Sequence, residues 1–303
     1  MLQPSYFILD ERRFRMILRS FLFVPGNRID RIEKAIASSA DGVIIDLEDA
    51  VTPSQKETVR DQVGAFLKTA NRKNLFVRVN AVETSYFDKD IEKITEAALY
   101  GIVIPKVERP EALQEVDRKL SDLERRRSIP ERQIHLVLMI ETALGLSRVR
   151  EIGASTPRVI AIAFGAGDLT LDLGAKLSKT GEELLFARSF LVLSCRLAGV
   201  SPIDAPYIID VKDVEGLKAE AQRSRRLGFR GKFCIHPSQV EPVNEIFSPA
   251  QEEIARAKKI VEAFELAKGK GEGAIALEGE FVDAPIYNRA TQLLDFAKEV
   301  GLI

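Results

Sequence analysis

Acidic residues recur at the ends of short apolar segments in this chain. Glu141 directly follows the apolar run 136–140, and Asp168 lies near the end of the segment "RVIAIAFGAGDL". One polar strand end shows only that a strand has reached water, but carboxylates on neighbouring strand ends can converge on one point. Two carboxylates without His or Cys beside them offer hard oxygen ligands, which suit Mg²⁺ or Mn²⁺. Glu141 and Asp168 are therefore candidate metal ligands.

Other segments end on charged or polar residues as well. These residues are Asp46, Glu48 and Asp49 after the second segment, Arg78 and Asn80 on the third, Lys106 on the fourth and Asp204 on the seventh. For Arg78 a structural alternative stays open, because a buried arginine needs partners and Glu48 or Asp49 would provide them. Lys106 is assigned mostly to the same network. Neighbouring acids would hold its ammonium charged, whereas an imine-forming lysine must be neutral.

The stretch "FGAGDLT" adds a possible anion site beside Asp168. Gly165 and Gly167 allow close backbone approach, so nearby N–H groups can hold a substrate carboxylate. Zinc is disfavoured, because His135 and His236 lie in different segments without a cysteine partner. We expect His135 to be structural. For His236, a local hydrogen bond is favoured over a place in the substrate pocket.

Charge and composition limit the classes of protein to which the chain can belong. The chain has 303 residues and a formal net charge of -1, which gives no electrostatic case for nucleic acid or an anionic membrane as partner. Cys195 and Cys234 lie on separate apolar segments and are predicted to be buried thiols in a reducing compartment, so we expect a cytoplasmic protein. No apolar run approaches the ~20 residues that span a bilayer. Residues 1–18 are interpreted as an N-terminal extension, with a mitochondrial presequence as the less favoured alternative.

Apolar segments alternate with amphipathic helical segments along the chain. The strand predictions are 20–26, 42–49, 74–80, 101–108, 135–142, 158–169, 201–208 and 232–240. Near-continuous apolar strands separated by helices are typical of parallel sheets, so a (β/α)₈ TIM barrel is the leading fold. A doubly wound sheet is the runner-up, but the turn "PGNR" after the first strand is no dinucleotide fingerprint.

The C-terminal part is predicted to differ from the barrel. A helix fills residues 249–270, the Gly-rich stretch "GKGEGA" follows, and a final helix is predicted in "APIYNRATQLLDFAKEVG". The Gly-rich stretch is interpreted as a hinge. We therefore predict a barrel over residues 19–268 and a mobile flap over residues 269–303.

Seven segments of the chain, in this order, resemble the segments of a known protein family. They are "RSFLFVPGNRIDRIEKA", "GVIIDLEDAV", "FVRVN", "IPKVE", "IETALGL", "AFGAGDLTLDLG" and "GKFCIHPSQV". Together they closely resemble the citrate lyase β-chain-like branch of the aldolase/citrate lyase superfamily, which includes malyl-CoA and citramalyl-CoA lyases. The resemblance runs from about residue 19 to the C-terminus.

The resemblance implies a Mg²⁺-dependent barrel enzyme that makes or breaks a C–C bond in a 3-hydroxyacyl-CoA thioester. Glu141 and Asp168 would hold the metal and, with Gly167, bind the substrate. Arg78 would bind the oxo-acid end. The segment "GEFVDAPIYNRA" looks like the family segment that carries an acid, here Asp283, into a neighbouring subunit of a trimer or hexamer.

Two further acids, Glu48 and Asp49, are expected to hold metal-bound water or to orient Arg78.

Four functions are compatible with these site residues and with the family resemblance. They are a stand-alone acyl-CoA lyase, the β chain of a citrate lyase acting on a citryl thioester, a malyl-CoA thioesterase, and a non-catalytic binding protein. The complete set of candidate site residues disfavours the last.

Overall fold

Eight parallel strands form a closed barrel in a computed structural model that describes residues 17–71, 74–269 and 271–303. The strands are β1 (Ser20–Pro25), β2 (Gly42–Asp46), β3 (Leu75–Arg78), β4 (Leu99–Ile104), β5 (His135–Ile140), β6 (Val159–Phe164), β7 (Ser201–Asp204) and β8 (Gly231–Cys234). Each strand pairs with the next in sequence, and β8 pairs with β1. The predicted TIM barrel is confirmed.

Helices follow most strands. They are α1 (Ile29–Ile36), α2 (Lys56–Thr69), α3 (Phe87–Ile94), α4 (Pro110–Arg126), α5 (Ala143–Ser147), α6 (Val149–Gly153), α7 (Ala166–Asp172), α8 (Leu185–Ala198), α9 (Val214–Leu227) and α10 (Val240–Phe247). Apolar stripes explain the longer ones. In α4, for example, Leu113, Val116 and Leu120 are buried at helical spacing. Pro110 occupies the first position of this helix, where a backbone N–H would have no partner within the helix.

The interior of the barrel is filled by side chains that alternate along the strands. The buried cluster contains Leu18, Phe21, Ile44, Phe76, Val103, Val137, Met139, Ala161, Ala163, Ile203 and Phe233. Because side chains on a strand alternate with a period of two, the next inward positions after Ile44, Phe76 and Met139 are Asp46, Arg78 and Glu141. The apolar interior is therefore closed, at the carboxyl ends of the strands, by charged residues.

The strands are shorter than predicted, so several polar residues lie in the segments that follow the strands and not on the strands themselves. The prediction ran β6 on to residue 169, but β6 ends at Phe164 and Asp168 lies within α7. Glu48 and Asp49 likewise follow β2 in a loop, and Lys106 lies two residues beyond β4. Apolar residues continue past a strand end when a helix follows at once, so composition alone could not show where β6 stops.

The chain divides into two compact units, and the boundary in sequence lies between Asn244 and Glu245. The second unit therefore begins before residue 269, where we predicted the flap to start. It contains α11 (Gln251–Lys268), the antiparallel strands β9 (Ala274–Leu277) and β10 (Glu280–Asp283), and α12 (Ala284–Glu299). Its core includes Phe264, Val282 and Ala290. The role of residues 269–303 as a flap stays a prediction.

The hairpin between β9 and β10 was not predicted. Its turn is Glu278-Gly279, and both residues have positive φ, 52° and 85°. Two consecutive left-handed residues are typical of the two-residue turns that join antiparallel strands. The sequence signal was the glycine at residue 279, which was noted only as the first residue of the segment "GEFVDAPIYNRA".

Other sequence predictions concern burial and the N-terminus. Cys195 and Cys234 are both buried free thiols, as predicted. The proposed N-terminal extension falls almost entirely on residues 1–16, which lie outside the described residues. Within the described part of the chain, no helix has both the length and the apolar character to cross a membrane.

Candidate active site

The strand pair β2 and β3 places an acid opposite an arginine at the mouth of the barrel. Asp46 and Arg78 are register partners, and both side chains point inward. Arg78 Nε donates to Asp46 Oδ1 at 2.8 Å, and Nη2 donates to Oδ2 at 2.6 Å. This two-point ion pair fixes the plane of the guanidinium, which a lysine could not reproduce.

Arg78 also contacts two acids in the loop after β2. Its Nη1 lies 3.0 Å from Glu48 Oε2 and 3.4 Å from Asp49 Oδ2, and its Cζ lies 5.0 Å from the centre of the Phe23 ring. The expected ion pairs to Glu48 and Asp49 are therefore present, together with the stronger one to Asp46. Burial lowers the pKa of Arg78, but the three acids outweigh burial and raise it above its ordinary value.

A second cation, Lys106, lies beside Glu48. Lys106 Nζ is 2.9 Å from Glu48 Oε1, so Glu48 lies between Lys106 and Arg78. Burial raises the pKa of Glu48 above its usual value in spite of both cations. The loop itself is fixed by Lys56, whose Nζ donates to the carbonyl oxygens of Leu47 and Glu48 at 2.7 Å each.

Glu141 directly follows β5 and is almost completely buried. The chain beyond it is fixed by Thr142, which caps α5 by accepting a hydrogen bond from the Gly145 N–H at 3.1 Å. The Thr142 hydroxyl also donates to Glu108 Oε1 at 2.8 Å. Both bonds hold the residue next to Glu141 and so fix the backbone directly after β5.

The Glu141 carboxyl lacks a compensating partner among the described residues. Its Oε2 atom is buried and has no hydrogen bond. Burial raises the pKa of Glu141 to about 8, and the negative charges of Glu48 and Asp168 add to the rise, while Lys106 and Arg78 oppose it. A buried carboxylate with a free oxygen is costly unless a cation binds it. A divalent cation between Glu141 and Asp168 would remove this cost.

Gly165 is required by the position of Glu141. A Cβ atom on Gly165 would lie 2.3 Å from Glu141 Cγ, which is far inside van der Waals contact. At Gly167, in contrast, a built Cβ has no heavy atom within 4 Å. The two glycines that were predicted to share one role therefore differ: Gly165 leaves room for Glu141, and Gly167 faces open space.

The donor set fits magnesium. Asp168 is exposed in the first turn of α7, and its charge acts on Glu141. No group of three or more His, Cys, Asp or Glu residues with metal-binding geometry occurs in the described ranges. Mg²⁺ commonly uses one or two carboxylates and fills its other positions with water or substrate oxygens. Glu141 and Asp168 would supply that number of ligands.

The two histidines make local contacts. His135, at the start of β5, is largely buried, and burial lowers its pKa; its ring lies 4.8 Å from that of Tyr100. His236 caps a 3₁₀ turn, and its Nδ1 pairs with Ser238 Oγ at 2.8 Å, the local role that was favoured. Both observations agree with the structural interpretations.

Asp204 was grouped with the strand-end acids of the mouth, and this was wrong. Ile203 and Phe233 face inward, so Asp204 and its register partner Lys232 face the surrounding helices. Lys232 Nζ lies 2.6 Å from Asp204 Oδ2, and Arg188 on α8 binds the other oxygen at 3.0 Å. These cations hold the pKa of Asp204 well below its usual range.

Asp283 lies in the second unit, as the last residue of β10 and the N-cap of α12. Its carboxylate caps α12 by accepting a hydrogen bond from the Ile286 N–H at 3.2 Å. Pro285 occupies the first turn of the helix, so the capped helix start is encoded locally. Its predicted catalytic role in a neighbouring subunit stays a prediction.

Sequence reasoning did not assign roles to Asp46, Lys56 and Phe23. Asp46 was noted as a strand end but not as the main partner of Arg78. The period-two pattern could have found it, since Asp46 is two residues beyond the inward Ile44. No sequence signal marked Lys56, because its contacts are to backbone carbonyls of a loop.

A closed (β/α)₈ barrel with acids and an arginine gathered at the carboxyl ends of its strands defines an enzyme of the TIM-barrel class. Comparison with known proteins supplies the family. The family model described as HpcH/HpaI aldolase/citrate lyase matches residues 19–237, and a model for C–C bond lyases of the TIM-barrel fold matches residues 194–299. The chain belongs to the HpcH/HpaI aldolase/citrate lyase family and is a carbon–carbon lyase.

Similar proteins cover nearly the whole chain. The citrate lyase subunit beta-like protein of Deinococcus radiodurans is 39% identical over 284 residues, which are 92% of this chain and 96% of that protein. An L-malyl-CoA/beta-methylmalyl-CoA lyase of Cereibacter sphaeroides is 34% identical over 305 residues, covering 93% and 95%.

A solved structure resembles the chain over a similar range. It is the protein CitE from Mycobacterium tuberculosis in complex with magnesium, acetoacetate and coenzyme A. The TM-score is 0.78 and the identity 31%, with 94% of this chain and all of that chain covered.

Proposed function

We propose that this protein is a Mg²⁺-dependent lyase that cleaves a 3-hydroxyacyl-CoA of the citramalyl-CoA or malyl-CoA type. The products are acetyl-CoA and a 2-oxo acid, pyruvate or glyoxylate. The observation that carries the proposal is the buried Glu141 carboxyl, whose Oε2 atom has no hydrogen bond. The negative charge of Asp168 acts on this carboxyl and helps to raise its pKa. The magnesium, coenzyme A and malyl-CoA in the names of the similar proteins support it.

Glu141 and Asp168 would hold the metal, with Mn²⁺ as the alternative ion. When bound, the ion supplies Lewis acidity to the hydroxyl and carboxylate oxygens of the substrate. Gly167 is the proposed backbone contact for the substrate carboxylate, because open space lies above it. Glu141 must be deprotonated to act as a ligand, so its raised pKa couples metal binding to proton release.

Arg78 is proposed to face the oxo-acid end of the substrate. Asp46, Glu48 and Asp49 hold its guanidinium in one orientation, so it needs little reorganisation as charge develops in the reaction. Glu48 and Asp49 thus serve as positioning residues for Arg78 in this proposal. The distances of 3.0 and 3.4 Å support that role over a purely solvent-facing one.

The bond changes balance as follows. The substrate hydroxyl releases its proton to water, its C–O bond becomes the carbonyl of the 2-oxo acid, and the electrons of the broken C–C bond form the enolate of acetyl-CoA. A proton added to the enolate carbon then gives acetyl-CoA. We propose Asp283 of a neighbouring subunit as the donor of this proton, in a homotrimer or hexamer.

The proposed site of action is the cytoplasm, and the proposed partner is the acyl-CoA itself. The two buried, unpaired thiols suit a reducing compartment. A second candidate function is the β chain of a citrate lyase acting on a citryl thioester. It is favoured by the identity to the citrate lyase subunit beta-like protein over 92% of the chain.

A substrate panel tests the proposal. The purified protein is incubated with Mg²⁺ and citramalyl-CoA, malyl-CoA or a citryl thioester, and the 2-oxo acid and free thiol are measured separately. Oxo-acid release without thiol from a CoA substrate supports the lyase. Thiol without oxo acid indicates a thioesterase, and cleavage of the citryl thioester alone indicates a citrate lyase β chain.

A further inference from the structure

Most of the donor groups of Arg78 are directed at acids of the protein. A guanidinium has five N–H groups. Nε and one N–H of Nη2 bind Asp46, while Nη1 faces Glu48 and Asp49. Since most of its hydrogen bonds are already made, Arg78 has little capacity left for a second region of charge on the substrate.

Lys106 is the cation at the barrel mouth that keeps donor capacity. Its ammonium has three N–H groups. Glu48 Oε1, at 2.9 Å, is its one ion-pair partner among the described residues. The side chain is 41% exposed, compared with 11% for Arg78, so a ligand can reach it. Burial lowers the pKa of Lys106, but Glu48 and the other nearby acids outweigh burial and raise it above its ordinary value, which keeps the group charged.

The backbone at Lys106 supports a functional position. Its φ of 54° is in the left-handed region, which is unfavourable for a residue with a long side chain. Such residues cluster at active sites, where the surrounding structure holds them in place. Lys106 follows β4, which lies between β3 with Arg78 and β5 before Glu141. The charge of Glu141 also acts on Lys106.

We propose that Lys106 is a further catalytic residue, which binds the thioester oxygen of the acyl-CoA and stabilises the enolate as the C–C bond breaks. The inference rests on the proposed function. That reaction develops negative charge in two places. The metal site and Arg78 serve the oxo-acid half, so the thioester oxygen needs a separate donor, and Lys106 has the free N–H groups for it.

The test compares Lys106→Met with Lys106→Arg, and uses Lys93→Met as a control. Methionine keeps an unbranched stem of four heavy atoms and the same left-handed backbone cost, but it removes the ammonium. Lys93 is a matched lysine, 44% exposed and 2.7 Å from Asp61 on the helical surface. Three quantities are measured: oxo-acid release, Mg²⁺ affinity by calorimetry, and deuterium exchange into the methyl group of acetyl-CoA, with oxamate in place of the 2-oxo acid.

We expect Lys106→Met to lower kcat by about 100-fold or more, the range seen when one oxyanion donor is removed. The exchange rate should fall by a similar factor. Mg²⁺ should bind as tightly as before or more tightly, because a cation near Glu141 is gone. Lys106→Arg should recover part of both rates, and Lys93→Met should leave all three quantities unchanged.

Different results overturn different claims. If the parent protein is active and Lys106→Met keeps its exchange rate, the inference about Lys106 is wrong while the proposed function stands. If Lys106→Met loses Mg²⁺ affinity and activity in parallel, Lys106 acts only by holding Glu48, and the inference is again wrong. If the parent releases no oxo acid from any substrate of the panel, the proposed function fails and the inference fails with it.

Discussion

Glu141 shows best how an energetically unfavourable position can indicate the role of a single residue. It is an acid at a buried position, with one oxygen unpartnered and two further acids acting on it. A residue kept only for folding would be better replaced by an apolar one of similar size. The position therefore makes sense as part of a cation site, and its raised pKa gives that idea a measurable consequence.

The metal-free protein should lose stability as pH rises from about 4.5 to about 8 because of Glu141. Over this window folded Glu141 keeps a proton that the unfolded chain releases, since its pKa is raised from 4.5 to about 8. The loss should approach about 1.4 kcal/mol per pH unit at most. Glu141→Gln should remove it, as measured by chemical denaturation in the presence of a chelator. Equal pH slopes for parent and variant would contradict the assignment.

Gly165 and Gly167 form a matched pair for a steric test. Gly165→Ala should weaken Mg²⁺ binding at least tenfold, because its Cβ would displace Glu141. Gly167→Ala has room for its Cβ, so Mg²⁺ affinity should persist while KM for the acyl-CoA rises. Calorimetric titration and steady-state kinetics measure the two effects. Similar Mg²⁺ affinities for both variants would show that Glu141 is not a ligand.

The sequence indicated candidate site residues, but it did not show most of their partners. Glu141, Asp168 and Arg78 were named as candidates from their places at the ends of apolar segments. Asp204 was misassigned, because a strand end does not show which face a side chain takes. Lys106 was given an ion pair, but its left-handed backbone and spare N–H groups are visible only in three dimensions.

At the scale of elements, the barrel strands were predictable because parallel strands buried on both faces are nearly continuous apolar runs. The ends of these strands were less predictable than the strands themselves. The hairpin of β9 and β10 escaped prediction because each strand has only four residues and its packed apolar face consists of Ile275, Leu277 and Val282 alone, which is too few to show a clear alternation. The short helices α5 to α7 escaped for a related reason, since five to seven residues carry little periodicity.

Asp283 allows the capping role of a residue to be separated from its proposed acid role. Asn caps helices about as well as Asp, whereas Ala costs about 1 kcal/mol. Asp283→Asn should therefore keep the thermal unfolding midpoint but lose at least 100-fold in kcat. Asp283→Ala should lose both. Thermal denaturation and kinetics distinguish these outcomes, and a fully active Asp283→Asn variant would exclude a proton-donor role.

At the scale of the whole molecule, the proposal requires that one subunit completes the site of another. Glu141→Gln and Asp283→Asn variants should each be inactive alone. After mixing under conditions that exchange subunits, roughly a quarter of the sites should combine an intact Glu141 with an intact Asp283 from a neighbour. Activity restored on mixing supports shared sites. Two inactive variants that stay inactive after verified exchange would place Asp283 outside the neighbouring site.

The central claim is that Glu141 and Asp168 hold the Mg²⁺ that drives C–C cleavage. The most direct measurement follows 2-oxo acid release from citramalyl-CoA and malyl-CoA, together with Mg²⁺ binding, for the parent protein and Glu141→Gln at pH 8. The account predicts that the parent binds Mg²⁺ and releases oxo acid without free thiol, and that the variant does neither while remaining folded. A Glu141→Gln variant that binds Mg²⁺ and cleaves as fast as the parent would contradict it.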